Sequence, residues 1–315
     1  MKGSGENTLR LKHSFCMLAL SVGLAACSTT PIDLPAVSAA GQADALPGKI
    51  IWHDLISDTP QESRAFYSGL FNWDFSPLDS LAGNYTLISH DGNYIGGMVD
   101  ESRLGSSEDI SQWVVVIAVT DVTAATAALT AAGGKVFTEP TSLGARGEIA
   151  VVADPQGALL ALLQTNGEDP ADTQAVAANS FLWNELWTEN VDAAATFYQR
   201  IAPYTVKSFS LISPAGPVPY RVMSAQGRAR AGIRSNPVPG MSPTWQSYLS
   251  VDSLEQLESV IARVPTLGGA VLMPATKRPE GGYVAVIAGP SGAGIALQTW
   301  PVEMPTQASS EYGEQ

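Results

Sequence analysis

Two cysteines and three histidines are all that 315 residues offer of the side chains most used for disulfides and transition-metal sites. Cys16 and Cys27 both lie near the N-terminus, so no disulfide framework organises the chain. Basic residues are also few, 17 Lys and Arg against 30 Asp and Glu, and the formal charge is −13. No Lys/Arg cluster stands out, because Arg221, Arg228, Arg230 and Arg234 are scattered, which excludes a nucleic-acid partner. The chain has no apolar run long enough to span a bilayer of about 30 Å. There is no G-x-S-x-G turn for a nucleophilic serine, and no Gly-rich loop placed to cradle phosphate.

What is present begins with a short secretory pattern. Lys2, Arg10 and Lys12 precede the apolar run Phe15 to Ala26, which closes in "LAAC" at Cys27. This resembles the bacterial lipobox, which implies cleavage before Cys27 and its diacylation, with a membrane contact made through lipid. Ser28 in the next position resembles outer-membrane sorting. Residues 1–27 are thus expected to be a lipoprotein signal peptide, on the periplasmic face of a cell envelope. Residues 28–47 have three prolines and no period, and are expected to be a flexible tether.

An internal repeat organises the remainder. "IIWHDLISDTPQESRAFY" from Ile50 aligns without a gap on "FLWNELWTENVDAAATFY" from Phe181. Trp52 falls on Trp183, Asp54 on Glu185 and Tyr67 on Tyr198. Further on, Trp113 pairs with Trp245 and Pro155 with Pro290. Two domains follow, at 48–166 and 180–301, with a polar linker at 167–179 and a disordered tail at 302–315. Within each, alternation and capping signals predict strand-helix-strand-strand-strand, twice over. Thr59, Pro60 and Glu62 read as a capping box opening the first helix. Gly133 and Gly134 read as the stop of the second. In "SLEQLESVIARV", Leu254, Leu257, Ile261 and Val264 share one face.

The class is therefore α+β: two tandem domains, each a pair of βαβββ modules that cup a mixed sheet with the helices outside. That arrangement, the "FY" closing the first helix and "DPQGALLAL" resemble the vicinal oxygen chelate superfamily of glyoxalases, bleomycin-resistance proteins and extradiol dioxygenases. More narrowly, the resemblance is to tandem glyoxalase-like proteins related to lactoylglutathione lyase. It spans about residues 48 to 300. A fold so widely reused does not carry its function with it.

In metal-using members the resemblance places the ligands on the strands lining the cup. Here those positions hold Trp52, Val114 and Ala161 in the first copy, and Trp183, Gln246 and Ala296 in the second. A divalent transition metal needs three or four converging N, O or S donors. No cofactor and no metal site are therefore expected. His53 follows Trp52 and should turn to the opposite face of its strand. The cup-facing candidates for ligand binding are Trp52, Trp183, Trp187, Gln246 and Tyr248, walls suited to a small organic or aromatic molecule. Asp54 and Glu185 are candidate general bases, and Glu185 reads equally as a capping or salt-bridge residue. Arg146 reads as a solvated loop charge. The expected function is metal-free binding of a small organic molecule by a monomer. A lyase or isomerase using Asp54 or Glu185, and a non-catalytic envelope scaffold, stand beside it.

Overall fold

The computed structural model describes residues 32–38, 45–78, 84–105, 109–173, 175–213, 216–279 and 281–301. The expected signal peptide, Cys27 and the expected C-terminal tail lie outside these residues. The first domain runs β1 (Ile50–Ser57), α1 (Pro60–Phe71), β2 (Asp74–Pro77), β3 (Tyr85–His90) and β4 (Asn93–Asp100). It then repeats as β5 (Gln112–Ala118), α2 (Val122–Ala131), β6 (Lys135–Ser142), β7 (Gly147–Ala153) and β8 (Leu159–Thr165). The second domain follows the same plan. Its first module is β9 (Phe181–Thr188), α3 (Val191–Ile201), β10 (Thr205–Ser213), β11 (Gly216–Ala225) and β12 (Arg228–Ser235). Its second is β13 (Thr244–Val251), α4 (Leu254–Arg263), β14 (Ala270–Lys277), β15 (Tyr283–Ala288) and β16 (Gly294–Thr299).

Each domain forms an eight-stranded mixed sheet, ordered β2-β3-β4-β1-β5-β8-β7-β6 and β10-β11-β12-β9-β13-β16-β15-β14. The opening strands of the two modules meet antiparallel at the middle, with Trp52 opposite Val116 and Asp54 opposite Val114. In the second sheet Tyr248 pairs with Trp183 and Gln246 with Glu185. Paired residues share a face, so both sheets present these side chains to the cup and the intervening residues to the other side.

The helices begin where the sequence signals said, with one local difference. Thr59 precedes α1, but its side chain does not cap the helix and the expected box with Glu62 does not form. Its hydroxyl instead donates to Asp58, while Ser57 accepts the Thr59 amide and meets Ser63 inside the first turn. Asp121, Asn190 and Ser253 do cap α2, α3 and α4 through side-chain oxygens. Of the expected α4 face, Leu257 and, just past the helix end, Val264 are buried, while Leu254 and Ile261 are partly covered.

The two domains meet through their central strands, β5 against β13, and through α2 against α3, and the apolar interior is exchanged crosswise. One core joins the second module of domain one to the first module of domain two: Val115, Ile117, Leu129 and Leu160 pack with Leu186, Phe197, Tyr198 and Ile233. The other joins the first module of domain one to the second module of domain two: Leu55, Phe66, Tyr67 and Phe71 pack with Leu249, Leu257, Ile287 and Leu297, and Trp113 reaches in from β5. Burying each such side chain contributes about 1.5–3 kcal/mol. The same bond recurs in both: the Trp113 indole donates to the Tyr67 hydroxyl at 2.9 Å, and Trp245 to Tyr198 at 3.1 Å. Asp154 of the first domain accepts from Tyr198 of the second at 3.2 Å.

Two connecting segments are more ordered than their composition suggests. In the linker, Asp172 pairs with Lys49 at 3.1 Å and with Arg230 at 2.6 Å, clamping one domain to the other. The stretch expected to be a flexible tether is, over residues 32–38, packed against the first cup. Leu34 and Val37 are buried there beside Trp52, Leu87, Val116 and Leu163. The Leu34 amide donates to the Leu143 carbonyl at 2.9 Å, and Asp33 accepts from the Ala145 amide at 2.8 Å. With no hydrophobic period, this docking leaves no signature in the sequence.

Candidate functional site

Each cup is floored by a tryptophan, an acid and a tyrosine from corresponding strands, with an arginine from a different element beside them. In the first, the Trp52 indole donates to Asp54 Oδ1 at 3.0 Å and to the Tyr85 hydroxyl at 2.9 Å. Tyr85 donates to Asp54 Oδ1 at 2.7 Å. Arg146 Nη1 donates to the Tyr85 hydroxyl at 2.8 Å, and its guanidinium lies 4.3 Å from the Trp52 ring centroid. In the second, the Trp183 indole donates to the Tyr220 hydroxyl at 3.1 Å, and Tyr220 donates to Glu185 Oε1 at 3.0 Å. Glu185 Oε2 accepts from Tyr248 at 2.7 Å and from the Trp187 indole at 3.2 Å. Arg234 stands 3.9 Å from the same oxygen.

Both tyrosines lie over a glycine of the neighbouring strand. A Cβ on Gly97 would overlap the Tyr85 hydroxyl, and one on Gly232 would overlap that of Tyr220. Tyr85 and Gly97 are twelve apart, as are Tyr220 and Gly232. That repeated spacing was the signal available for these two tyrosines, which residue-by-residue reading of the opening strands passes over.

Burial raises the Asp54 carboxyl above the usual carboxylate range, although Arg146 and the bonds from Tyr85 and Trp52 act in the opposite sense. Tyr220 and Tyr248 are pushed up by burial and by the adjacent Glu185. All three of the donors on Glu185 converge on a residue that is 1% exposed. Its carboxylate is thus committed to holding the floor together.

Arg146 is not the solvated loop charge that its Gly-flanked position suggested. It closes the short turn Gly144–Arg146 before β7 and is 3% exposed. Gln246 takes its place on the cup face, yet its amide donates to backbone carbonyls of Ser247 and Gly294 rather than toward Glu185. Trp187 and Tyr248 are buried in the floor, while Trp183 keeps partial exposure where its counterpart Trp52 is 2% exposed.

His53 points away from the cup, as strand parity requires. Its ring stacks on Phe181 with centroids 3.6 Å apart, and Nε2 lies 3.0 Å from Asn184 Oδ1. His90 contacts Ser180 and Asp91. Among the described residues no three of His, Cys, Asp or Glu converge on a common point. At the positions where the fold's metal-using members carry ligands, Val114, Ala161 and Ala296 have no donor atoms, the indoles of Trp52 and Trp183 only donate, and Gln246 alone offers an oxygen, one ligand where three or four are needed. These side chains do not fit a divalent cation.

Cupped sheets built from paired βαβββ modules define the class: the chain has the vicinal oxygen chelate fold, and residues 51–163 match the glyoxalase-like domain family. The match falls on the first domain, and the second repeats the same strand order. Relatives of the chain include the anthracycline biosynthesis protein DauV of a Streptomyces species, 29% identical over 80% of this chain and 93% of that one. A putative glyoxylase, CFP32, of Mycobacterium tuberculosis is 34% identical over 37% of this chain and 44% of its own length. Among solved structures, the Mn(II)-bound glyoxalase from Novosphingobium aromaticivorans superposes with a TM-score of 0.57 at 15% identity, covering 82% of this chain and 84% of that one. The 2,2',3-trihydroxybiphenyl 1,2-dioxygenase from Sphingomonas wittichii gives 0.55 at 16% identity, over 85% and 94%. At such identities these two speak for the fold alone.

Proposed function

We propose that the protein binds a small, flat organic molecule without a metal, and that the second cup is the principal site. The observation that carries this is the floor of that cup. Glu185 holds Tyr220, Tyr248 and Trp187 in fixed positions beneath the partly exposed Trp183. A rigid aromatic surface gives affinity to an aromatic ligand at little entropic cost, and Arg234 beside it orients an oxygen-bearing edge. Two relatives are named for anthracycline biosynthesis, and an anthracycline is a fused-ring aromatic, which supports the same chemical class. A lyase or isomerase is the second reading, favoured by the raised pKa of Asp54. The full set of donors on Glu185 argues against that residue as its base.

The same proposal places the protein on the periplasmic face of the envelope, anchored through a diacylated Cys27 in the outer membrane. Five residues from Cys27 to the docked segment span at most about 17 Å, so the first cup would sit close to the lipid surface.

Thermal unfolding of the purified chain with fused-ring aromatic phenols, after chelation of divalent metals, tests the binding. The expected result is stabilisation by the aromatics that survives chelation and is lost in Glu185→Gln, measured against that variant's own melting point. Stabilisation that requires added metal would overturn the metal-free reading. Absence of any stabilisation would favour a scaffold. Acyl modification at a residue other than Cys27 would overturn the anchoring.

A further inference from the structure

The first cup is occupied by the chain itself, and the manner of its occupation describes a second ligand. Arg146 Nε donates to the backbone carbonyl of Pro35 at 3.0 Å, and Nη1 to the Tyr85 hydroxyl at 2.8 Å. Nη2 is buried and has no hydrogen-bond partner among the described residues. In a guanidinium, Nε and Nη2 present parallel N–H bonds along one edge, the edge that takes a carboxylate with two bonds at once. A peptide carbonyl has one oxygen and satisfies only half of that fork. Around it, Leu34 and Val37 lie among Leu87, Val116, Ala118 and Leu163, an aliphatic lining that continues inward from the arginine.

We infer that the first cup is a binding site for an apolar monocarboxylate, and that residues 33–38 are a displaceable stand-in for it. The ligand's carboxylate replaces the Pro35 carbonyl and takes both Nε and Nη2 of Arg146. Its hydrocarbon part replaces Leu34 and Val37. The segment can leave, because two apolar side chains and a few hydrogen bonds are set against the ordering of six backbone residues. This site is separate from the second cup and does not rest on the function proposed there. Asp54 faces the same cup and repels an incoming anion when ionised, so Asp54→Asn should strengthen binding while keeping Oδ1 as acceptor for Trp52 and Tyr85.

The test titrates the full chain with octanoate and with the neutral octanamide, following tryptophan fluorescence and amide hydrogen exchange. Octanoate is expected to bind at least about tenfold more tightly than octanamide, since charge-assisted paired bonds are the strong ones. It should also accelerate exchange of the Leu34 amide, released from Leu143. In the double variant Leu34→Ser, Val37→Ser the affinity for octanoate should rise about tenfold, as competition from the segment is weakened. Arg146→Lys should abolish the preference for acid over amide while the chain stays folded. Glu185→Gln in the other cup should leave octanoate binding unchanged. Equal binding of octanoate and octanamide would overturn the inference. So would octanoate binding that leaves the Leu34 amide protected, or that survives Arg146→Lys with its preference intact.

Discussion

His53 of the first domain and Asn184 of the second occupy equivalent places in the repeat, and the two touch each other across the domain boundary at 3.0 Å. A pseudo-two-fold relation between the domains brings a residue into contact with its own counterpart. Asn184 Oδ1 also accepts from Ser247 at 2.9 Å, so His53 holds its proton on Nε2.

Burial pushes the pKa of His53 down to about 4, against a smaller opposing effect of the Asn184 bond. The unfolded chain takes up a proton near pH 6.5 that the folded chain refuses until about pH 4. Stability contributed by neutral His53 is therefore complete above about pH 6.5 and falls as the pH drops toward 4, by about 3 kcal/mol. Urea unfolding at a series of pH values should show this slope, and His53→Gln should flatten it. An unchanged slope in the variant would contradict the assignment.

Gly97 and Gly232 each allow a tyrosine hydroxyl to rest on the backbone of the adjacent strand. Alanine at either place forces the tyrosine off its carboxylate. Gly97→Ala and Gly232→Ala should each cost about 1–3 kcal/mol, through crowding and a broken buried hydrogen bond. Chemical denaturation measures both. The larger loss is expected at Gly97, where the added Cβ would also crowd Asp54 Oδ1; a neutral effect at both would mean the tyrosines adjust freely.

Asp172 in the linker is the point where Lys49 and Arg230 meet. Burial raises its carboxyl, but the bonds from Arg230 and Lys49 outweigh this and hold it below the usual range. The folded pKa is thus depressed, so the stabilisation is present above about pH 4 and disappears as the pH falls through the lower folded value. Asp172→Asn should lower stability near neutrality by about 1–3 kcal/mol, since it leaves the largely buried Arg230 short of its counter-charge. A melting point unchanged from the parent at pH 7 would show that the clamp contributes nothing.

Much of this architecture could be read in advance because the repeat is strong and the strand period is two. Trp52 and His53, adjacent in sequence, separate to opposite faces for that reason alone. The floors were half legible. The opening strands announced Trp52, Asp54, Trp183 and Glu185, but Tyr85 and Tyr220 come from strands some thirty residues later, and only register brings them in. Arg146 was misjudged because a charge between glycines in a loop is ordinarily solvated, and nothing local says that a distant segment covers it. That segment in turn has proline and small residues, a composition that suits a tether as well as a plug.

The crosswise interior has a consequence for how the two halves can change. Each helix layer is sealed by strands from the other copy, so neither copy is a parcel that could be cut out and remain whole. A substitution that loosens Phe66 is felt beneath the second cup, and one at Phe197 beneath the first. Divergence of the copies toward separate ligands must then be confined to rims and floors, while the shared seam drifts only in matched pairs.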